Sequence, residues 1–377
     1  MVNKHPNYIQ KAGVIKMAYK LCKKVRELEP YEPIQGNYKI RLDANESFFN
    51  FPDDLKAEIN DIIREIDFNR YPDPMALELT KAFADYYSIS PENITVTNGS
   101  DEMLYLLSSA LMKSGSNVVV VDPDFSMYSF YSFLSENNIF TYKKNKDHDI
   151  NVDELLSFMF ENNADMVIFS NPCNPTGRGI SSDDARKLVN GAGDCLVVID
   201  EAYMDFWNQS LLKEANEYQN LIVLKTASKA VGAAGIRLGF AIANPLITKA
   251  LRSVKSPYNV NTLSQKIGAC IYRKKDLLKE RANEIIKNTK TLYIDILKVV
   301  DNYKLPFRVF ITCANFVFVE TDYAKNIYEM LLENGIAVRY FPKYSSLRIT
   351  TGTVKENNEF VINFEKYIIK NILKRNR

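Results

Sequence analysis

The sequence predicts an α/β protein in which a mainly parallel sheet is covered by helices on both faces, with a smaller α/β domain beside it. Short apolar runs, many of them β-branched, recur at 94–96, 118–121, 166–169, 196–199, 221–224 and 240–243. Stretches of helical period separate most of these runs. Strands that are apolar on both faces and alternate with helices belong to a parallel sheet buried between helical layers. Past residue 260 the texture shifts, and lysine-rich helical stretches over 274–300 lead to strand-like segments at 307–310 and 316–319. That shift marks the second domain.

The elements follow in order. The first thirty residues carry six lysines and Arg26 against Glu27 and Glu29, with no continuous apolar stretch, and read as a basic helical arm. Neither a secretory signal nor a membrane span fits them. Glu29-Pro30-Tyr31-Glu32-Pro33 is a rigid extended connector, because each proline pushes the residue before it out of helical backbone. Residues 40–46 suggest a short strand ending in polar residues, 53–66 a helix, and Asn69-Arg70-Tyr71-Pro72-Asp73-Pro74 a proline-fixed loop. Helices are expected over 101–112 and 152–160, the second opened by Asn151 and Glu154 at the spacing of a capping box. An amphipathic helix over 360–373 sets Phe360, Val361, Phe364, Ile368 and Ile372 along one side. The expected organisation is an N-terminal arm and part of the small domain over 1–68, a large domain over 69–265, and the small C-terminal domain over 266–377.

Composition narrows the function. A chain of 377 residues has room for about two domains. Its 46% hydrophobic and 25% charged content suits a soluble globular protein, and a net charge of +2 is too small for a general polyanion binder. No nucleic-acid or membrane partner is expected, and the expected location is cytoplasmic. Cys22, Cys173, Cys195, Cys270 and Cys313 lack paired spacing, which argues against a disulfide framework and a zinc site alike, so no metal is expected. The two histidines are His5 in the arm and His148, which follows Lys-Asn-Lys-Asp in what reads as an exposed turn. A Ser-His-Asp or Cys-His hydrolase would therefore lack a good base. Polar chemistry must rest on Lys, Asp, Tyr and Arg.

In such sheets ligands bind at the carboxyl ends of the strands, so the residues after each run carry the information. The first run leads into Thr97-Asn98-Gly99-Ser100-Asp101-Glu102, either a phosphate cradle of free amides at a helix start or a plain N-cap. No dinucleotide or P-loop glycine pattern is present. After 118–121, Asp122-Pro123-Asp124-Phe125-Ser126-Met127-Tyr128 offers Phe125 or Tyr128 to stack on a flat ring, or simply to pack in the core. Ser170-Asn171-Pro172-Cys173-Asn174-Pro175-Thr176-Gly177 holds two Asn-Pro pairs that fix a loop and aim the Asn174 amide at the strand end.

The fourth run ends in Asp200-Glu201-Ala202-Tyr203. A carboxylate straight after four apolar residues demands a cation, such as a protonated heteroaromatic nitrogen; a metal-bound or solvated pair of acids is the other account. After 221–224 comes Lys225-Thr226-Ala227-Ser228-Lys229, then a small-residue turn and Arg237. Lys229 is either a solvated strand end or an amine able to form a Schiff base with an aldehyde cofactor. Farther on, Arg348 lies between apolar neighbours and Arg339 is near in sequence. Their planar forks suit a doubly anionic substrate, with structural ion pairs as the competing account.

Assembled, these residues resemble the fold-type-I pyridoxal-phosphate aminotransferases, within the histidinol-phosphate aminotransferase family. The resemblance runs from Tyr31 to the Arg348 region. It rests on Leu42-Asp43-Ala44-Asn45-Glu46, Arg70-Tyr71-Pro72-Asp73-Pro74, Asn98-Gly99-Ser100-Asp101-Glu102, Asn174-Pro175-Thr176-Gly177, Asp200-Glu201-Ala202-Tyr203 and Ser228-Lys229 with Arg237, in that order and spacing. It implies a seven-stranded sheet in the large domain and pyridoxal 5'-phosphate as cofactor. By resemblance, Lys229 would hold the cofactor covalently and then act as general base, and Asp200 would face the ring nitrogen. Asn174 and Tyr203 would bind the ring oxygen, and Phe125 would stack on the ring. Gly99, Ser100, Asp101, Ser228 and Arg237 would hold the phosphate, with Tyr71 reaching in from a second subunit of a homodimer. Arg348 would bind the substrate carboxylate or phosphate, in a pocket shaped by Arg339, Tyr31 and Asn45.

The implied reaction joins a small amino donor to a 2-oxo acid: histidinol phosphate and 2-oxoglutarate give imidazole-acetol phosphate and glutamate. Aromatic or other amino-acid transamination, a phosphothreonine-type decarboxylase and a non-catalytic cofactor-binding regulatory module are the alternatives. One departure stands out. The family usually continues Ala-Asn-Glu-Asn-Pro-Tyr-Gly, where this chain has Ala44-Asn45-Glu46-Ser47-Phe48-Phe49-Asn50. It falls on the substrate side of the expected site.

Overall fold

The computed structural model describes residues 22–26, 28 and 34–373. The chain divides into two compact units, Met1–Gln35 and Gly36–Arg377. In the first, the described residues include a helical turn, Lys23–Arg26; most of the expected arm, His5 and Tyr31 lie outside the described residues.

The second unit carries the strands β1 (Ile40–Leu42), β2 (Ile94–Asn98), β3 (Asn117–Asp122), β4 (Asn138–Lys143), β5 (Met166–Ser170), β6 (Leu196–Asp200), β7 (Leu221–Thr226), β8 (Leu238–Ala243), β9 (Arg308–Phe310), β10 (Phe316–Glu320), β11 (Ile336–Phe341) and β12 (Ser346–Thr350). Seven form the sheet β2-β8-β7-β6-β5-β3-β4. From β7 to β4 every pairing is parallel, whereas β8 runs antiparallel to both its neighbours. All six expected runs lie in this sheet.

Successive side chains of a strand face opposite sides, and the two apolar layers follow from that alternation. Val119, Val121, Val167, Phe169, Val197, Ile199 and Val223 enter one core. Val118, Val120, Ile168, Val198, Ile222 and Leu224 enter the other. Each such burial is worth about 1.5–3 kcal/mol, which fixes the register of the strand ends where the polar residues sit. The seventh strand, β4, had no apolar run to announce it. It is an edge strand with one neighbour, and Tyr142 is its one buried residue. An edge has less apolar surface to cover.

Helices fall close to expectation. Asp53–Arg64, Gly99–Leu106 with a π-helical turn over Leu107–Leu111, and Val152–Glu161 are all present. The Asn151 side chain accepts from the Asp153 and Glu154 amides. The lysine-rich stretch is a 28-residue helix, Lys275–Asn302. The last helix starts earlier than expected, at Val354, where Thr353 and Glu356 form a complete capping box. Phe360, Phe364, Ile368 and Ile372 are buried, as the amphipathic pattern requires.

The second sheet has the order β1-β11-β12-β10-β9. Strand β1 pairs with β11 in parallel, Ile40 opposite Ile336, so an early segment completes a sheet built from the C-terminal part. Its core joins Ile40, Leu42, Val317, Val338 and Leu347 to Leu292, Ile296 and Phe360.

His148 corrects the reading of an exposed turn. Its side chain is 11% exposed, with Nε2 against Glu320 Oε1 and the ring packed on Phe310 and Phe318. Strands β9 and β10 cover the loop, and Arg308 binds both Asp147 and Glu320. These partners are distant in sequence, which is why the local pattern missed them. Among the described residues no helix is long and apolar enough to cross a membrane, and no cluster of His, Cys, Asp and Glu could hold a metal ion.

Candidate active site

Polar groups gather where β5, β6 and β7 end, faced by the segment after β1 and by β12. Lys229 follows β7 in a turn closed by Gly232 N–H on the Lys229 carbonyl and Ala233 N–H on the Ala227 carbonyl. Its Nζ donates to the Ala44 carbonyl at 3.1 Å and lies 5.9 Å from the centre of the Tyr203 ring. Burial lowers its pKa to about 8; the positive charges of Arg348 and Arg237 add to the shift, and Glu46 opposes it. Such an amine is a usable nucleophile and base near neutral pH.

Asp200 ends β6, pairing with Ser170 on β5 and Leu224 on β7. It is 4% exposed. Oδ2 accepts from the Tyr128 hydroxyl at 2.8 Å and Oδ1 from the Ala202 amide at 3.0 Å. Burial raises its pKa to about 6 despite those two donors, and the nearby charges of Asp124 and Asp101 push the same way. A carboxylate so placed is short of a positive partner.

Two further chains of contacts complete the floor. The Tyr203 hydroxyl accepts from Asn45 Nδ2 at 2.8 Å, and burial raises the Tyr203 pKa to about 12. Asn45 has left-handed backbone (φ 54°) and is held by Thr350, whose Oγ1 accepts from its amide and donates to its side-chain oxygen, both at 3.0 Å. Arg348, buried on β12, donates to Asn174 Oδ1 and to the Asp43 carbonyl. Its guanidinium lies 5.5 Å from the Phe316 ring and 5.8 Å from Phe341. Arg339 stands directly across from Arg348 on β11.

Beside this floor lies an anion cradle at the start of the helix Gly99–Leu106, where amides have no intrahelical acceptor and the dipole is positive. Gly99 has φ +69°, and a Cβ there would come within 2.6 Å of Arg237 Nη2. Arg237 reaches Ser228 Oγ at 3.4 Å and Asp101 Oδ2 at 3.2 Å. Behind it, a Cβ on Gly239 would meet the Gly99 carbonyl carbon at 2.3 Å and the Ser100 amide at 2.5 Å. Backbone cannot yield as a flexible side chain does. Gly239→Ala is therefore expected to cost about 1–3 kcal/mol of stability, which denaturant unfolding measures.

The structure thus brings together Lys229, Asp200, Tyr203, Asn45, Asn174 and Arg348, with Gly99, Asp101, Ser228 and Arg237 in the cradle. Phe125 is half-buried, and its ring meets Tyr128 edge-on at 5.6 Å. Tyr128 is 2% exposed with its hydroxyl on Asp200, whereas Phe125 keeps part of its ring open. Tyr71 is 81% exposed and stacks on Tyr258 at 4.5 Å. Sequence reasoning missed the Tyr128 hydroxyl on Asp200, Thr350 on Asn45 and the Ala44 carbonyl on Lys229. Each joins residues far apart in the chain, and no local pattern marks them.

The family model described as aminotransferase class I and II matches residues 37–364. A histidinol-phosphate aminotransferase of Clostridium novyi is 39% identical over 342 residues, 90% of this chain and 94% of its own length. Another, of Clostridium kluyveri, is 38% identical over 358 residues, 94% of this chain and 100% of its own. The crystal structure of histidinol-phosphate aminotransferase from Sinorhizobium meliloti, in complex with pyridoxal-5'-phosphate, shares the fold with a TM-score of 0.82 at 22% identity, over 93% of this chain and 97% of that one. The site geometry and these similarities converge, and the chain belongs to the class I and II aminotransferases, in the histidinol-phosphate aminotransferase family.

Proposed function

We propose that this protein transfers an amino group between histidinol phosphate and 2-oxoglutarate, giving imidazole-acetol phosphate and glutamate, with pyridoxal 5'-phosphate as cofactor. One observation carries the reading: a buried carboxylate short of a cation ends one strand, and an amine of lowered basicity follows the next strand in the sheet. The residues fit the cofactor. A cradle that excludes a Cβ at Gly99 and Gly239 suits its phosphate, and Asp200 suits its ring nitrogen.

When bound, the cofactor supplies an aldehyde for the amino group and a ring that takes up electrons released at the substrate carbon. Lys229 would hold the aldehyde carbon and, once displaced from it, would take up a proton at Nζ and hand it on. Asp200 would hold positive charge at the ring nitrogen, Asn174 and Tyr203 would bind the ring oxygen, and Phe125 would cover the ring. The amides of Ser100 and Asp101, with Ser228 and Arg237, would bind the phosphate, while Gly99, its own amide on the Arg237 carbonyl, shapes the cradle. Arg348 would take the carboxylate or phosphate of the substrate, in a pocket shaped by Asn45 and Arg339.

The same reading divides the chain into a cofactor domain over 69–265 and a small domain completed by the segment through residue 68. It also includes a homodimer in which Tyr71 serves the neighbouring site. Phe68, Tyr71 and Leu77, 70%, 81% and 64% exposed, support a partner over that face. Five free cysteines support a cytoplasmic setting.

Donor profiling of the holoenzyme tests the substrate. Histidinol phosphate should exceed aromatic amino acids and phosphothreonine in kcat/KM; a preference for either of the others refutes the proposal. Arg348→Ala should lower kcat/KM for anionic donors by about 100-fold, the scale of two lost charge-assisted hydrogen bonds. Near-wild-type values with every anionic donor would remove Arg348 from that role.

A further inference from the structure

More buried charge lies behind Asp200 than one ring nitrogen requires. Beyond Tyr128 lies Asp124, whose side chain is 2% exposed. Its Oδ1 accepts from the Phe125 amide at 2.7 Å and from the Ser170 hydroxyl; its Oδ2 accepts from the Ser170 amide at 3.1 Å. Lys144, directly after β4 and 1% exposed, sets its ammonium 3.8 Å from Asp124 and donates to the Pro123 carbonyl at 2.9 Å. Ser170 is also the cross-strand neighbour of Asp200. The array therefore holds two carboxylates and one ammonium.

Desolvated charges persist only when matched. Lys144 stands against Asp124, which leaves Asp200 as the unmatched acid. The Tyr128 hydroxyl has a single proton, and it points at Asp200 Oδ2. With the Ala202 amide on Oδ1, the carboxylate is held by both oxygens in one orientation, by donors that oppose the effect of burial and favour its ionised form.

We propose that Tyr128 is a positioning residue for the cofactor's ring nitrogen, fixing Asp200 while the Asp124–Lys144 pair behind it leaves the unmatched negative charge at Asp200. The proposal rests on Asp200 facing that nitrogen. Losing the hydroxyl makes Asp200 hold a proton more readily. The proton shared with the ring nitrogen then resides more on the carboxylate, and the ring withdraws electrons less. Asp124 and Asp101 face Asp200 as further acids, and neither can replace the donor.

The test compares holoenzymes of wild type, Tyr128→Phe, Asp200→Asn and the double variant, using the glutamate half-reaction and the pH midpoint of the bound cofactor's visible absorbance. Tyr128→Phe keeps the shape of the ring and should still bind the cofactor. Its midpoint should rise by about one pH unit, and kcat should fall about tenfold with KM little changed. In the Asp200→Asn background the same substitution should add no further shift. A wild-type midpoint in Tyr128→Phe, or an equal shift in both backgrounds, overturns the proposal. If Asp200→Asn itself leaves the midpoint unmoved, the placement of Asp200 at the nitrogen falls, and the proposal with it.

Discussion

Lys229→Ala should lower transamination by about 10⁴-fold or more, because the variant loses both the group that holds the aldehyde and the base that moves the proton. Single-turnover kinetics with glutamate measure the loss. The purified variant should also lack the absorbance band of a lysine-bound aldehyde. The wild-type amine titrates at about 8, because burial and the charges of Arg348 and Arg237 disfavour its ammonium form. Capture of added pyridoxal phosphate by the apoprotein should therefore speed up with pH and level off above about 8. Below that midpoint the neutral fraction falls about tenfold per pH unit. That setting favours an uncharged Lys229: its Nζ donates to the Ala44 carbonyl, and burial with the charges of Arg348 and Arg237 outweighs the opposing pull of Glu46 and Asp101. A Lys229→Ala enzyme that turned over at a tenth of the normal rate would place the chemistry elsewhere.

Asp200→Asn should act in opposite directions on activity and on stability. Turnover should drop by about 10³-fold, since the ring nitrogen loses its counter-charge and the donor that replaces it cannot accept a proton. Stability of the apoprotein should rise. The folded-state pKa of Asp200 is raised from 3.8 to about 6. Folding then favours the protonated form, so the contribution of this group is fully present below pH 3.8 and is lost as pH climbs through about 6. At pH 8 the ionised, unmatched carboxylate costs about 3 kcal/mol, which asparagine would recover. Urea unfolding of the two apoproteins at pH 5 and pH 8 measures the difference, and the gain should be larger at pH 8. Equal stability at both pH values would mean that Asp200 is not held against its charge.

Much of the fold is legible in the sequence. The apolar runs located six of the seven large-sheet strands, because a strand buried on both faces must be apolar throughout. Lys229, Asp200, Asn174 and Tyr203 stood out because each follows such a run, where polar residues are otherwise costly. Strand β4 was hidden because an edge needs little burial. Strands β11 and β12 were noticed only through Arg339 and Arg348. Long-range partners were also hidden. Tyr128 reads as a candidate for stacking, and its hydroxyl on Asp200 depends on how the helix Met127–Leu134 carries it to the end of β6. His148 looked solvated because its cover comes from β9 and β10, some 160 residues later in the chain.

The pairing of β1 with β11 sets an order on the birth of the enzyme. Ile40 waits for Ile336, and the Asn45 amide waits for Thr350, 305 residues downstream. On the ribosome, the seven-stranded sheet can be translated whole while the five-stranded sheet still lacks β9 to β12. Contacts of such long separation close late, and closure is slow. A nascent chain thus emerges with Lys229 and Asp200 already set by the large sheet, and Asn45 gains its Thr350 partner only once β12 is made.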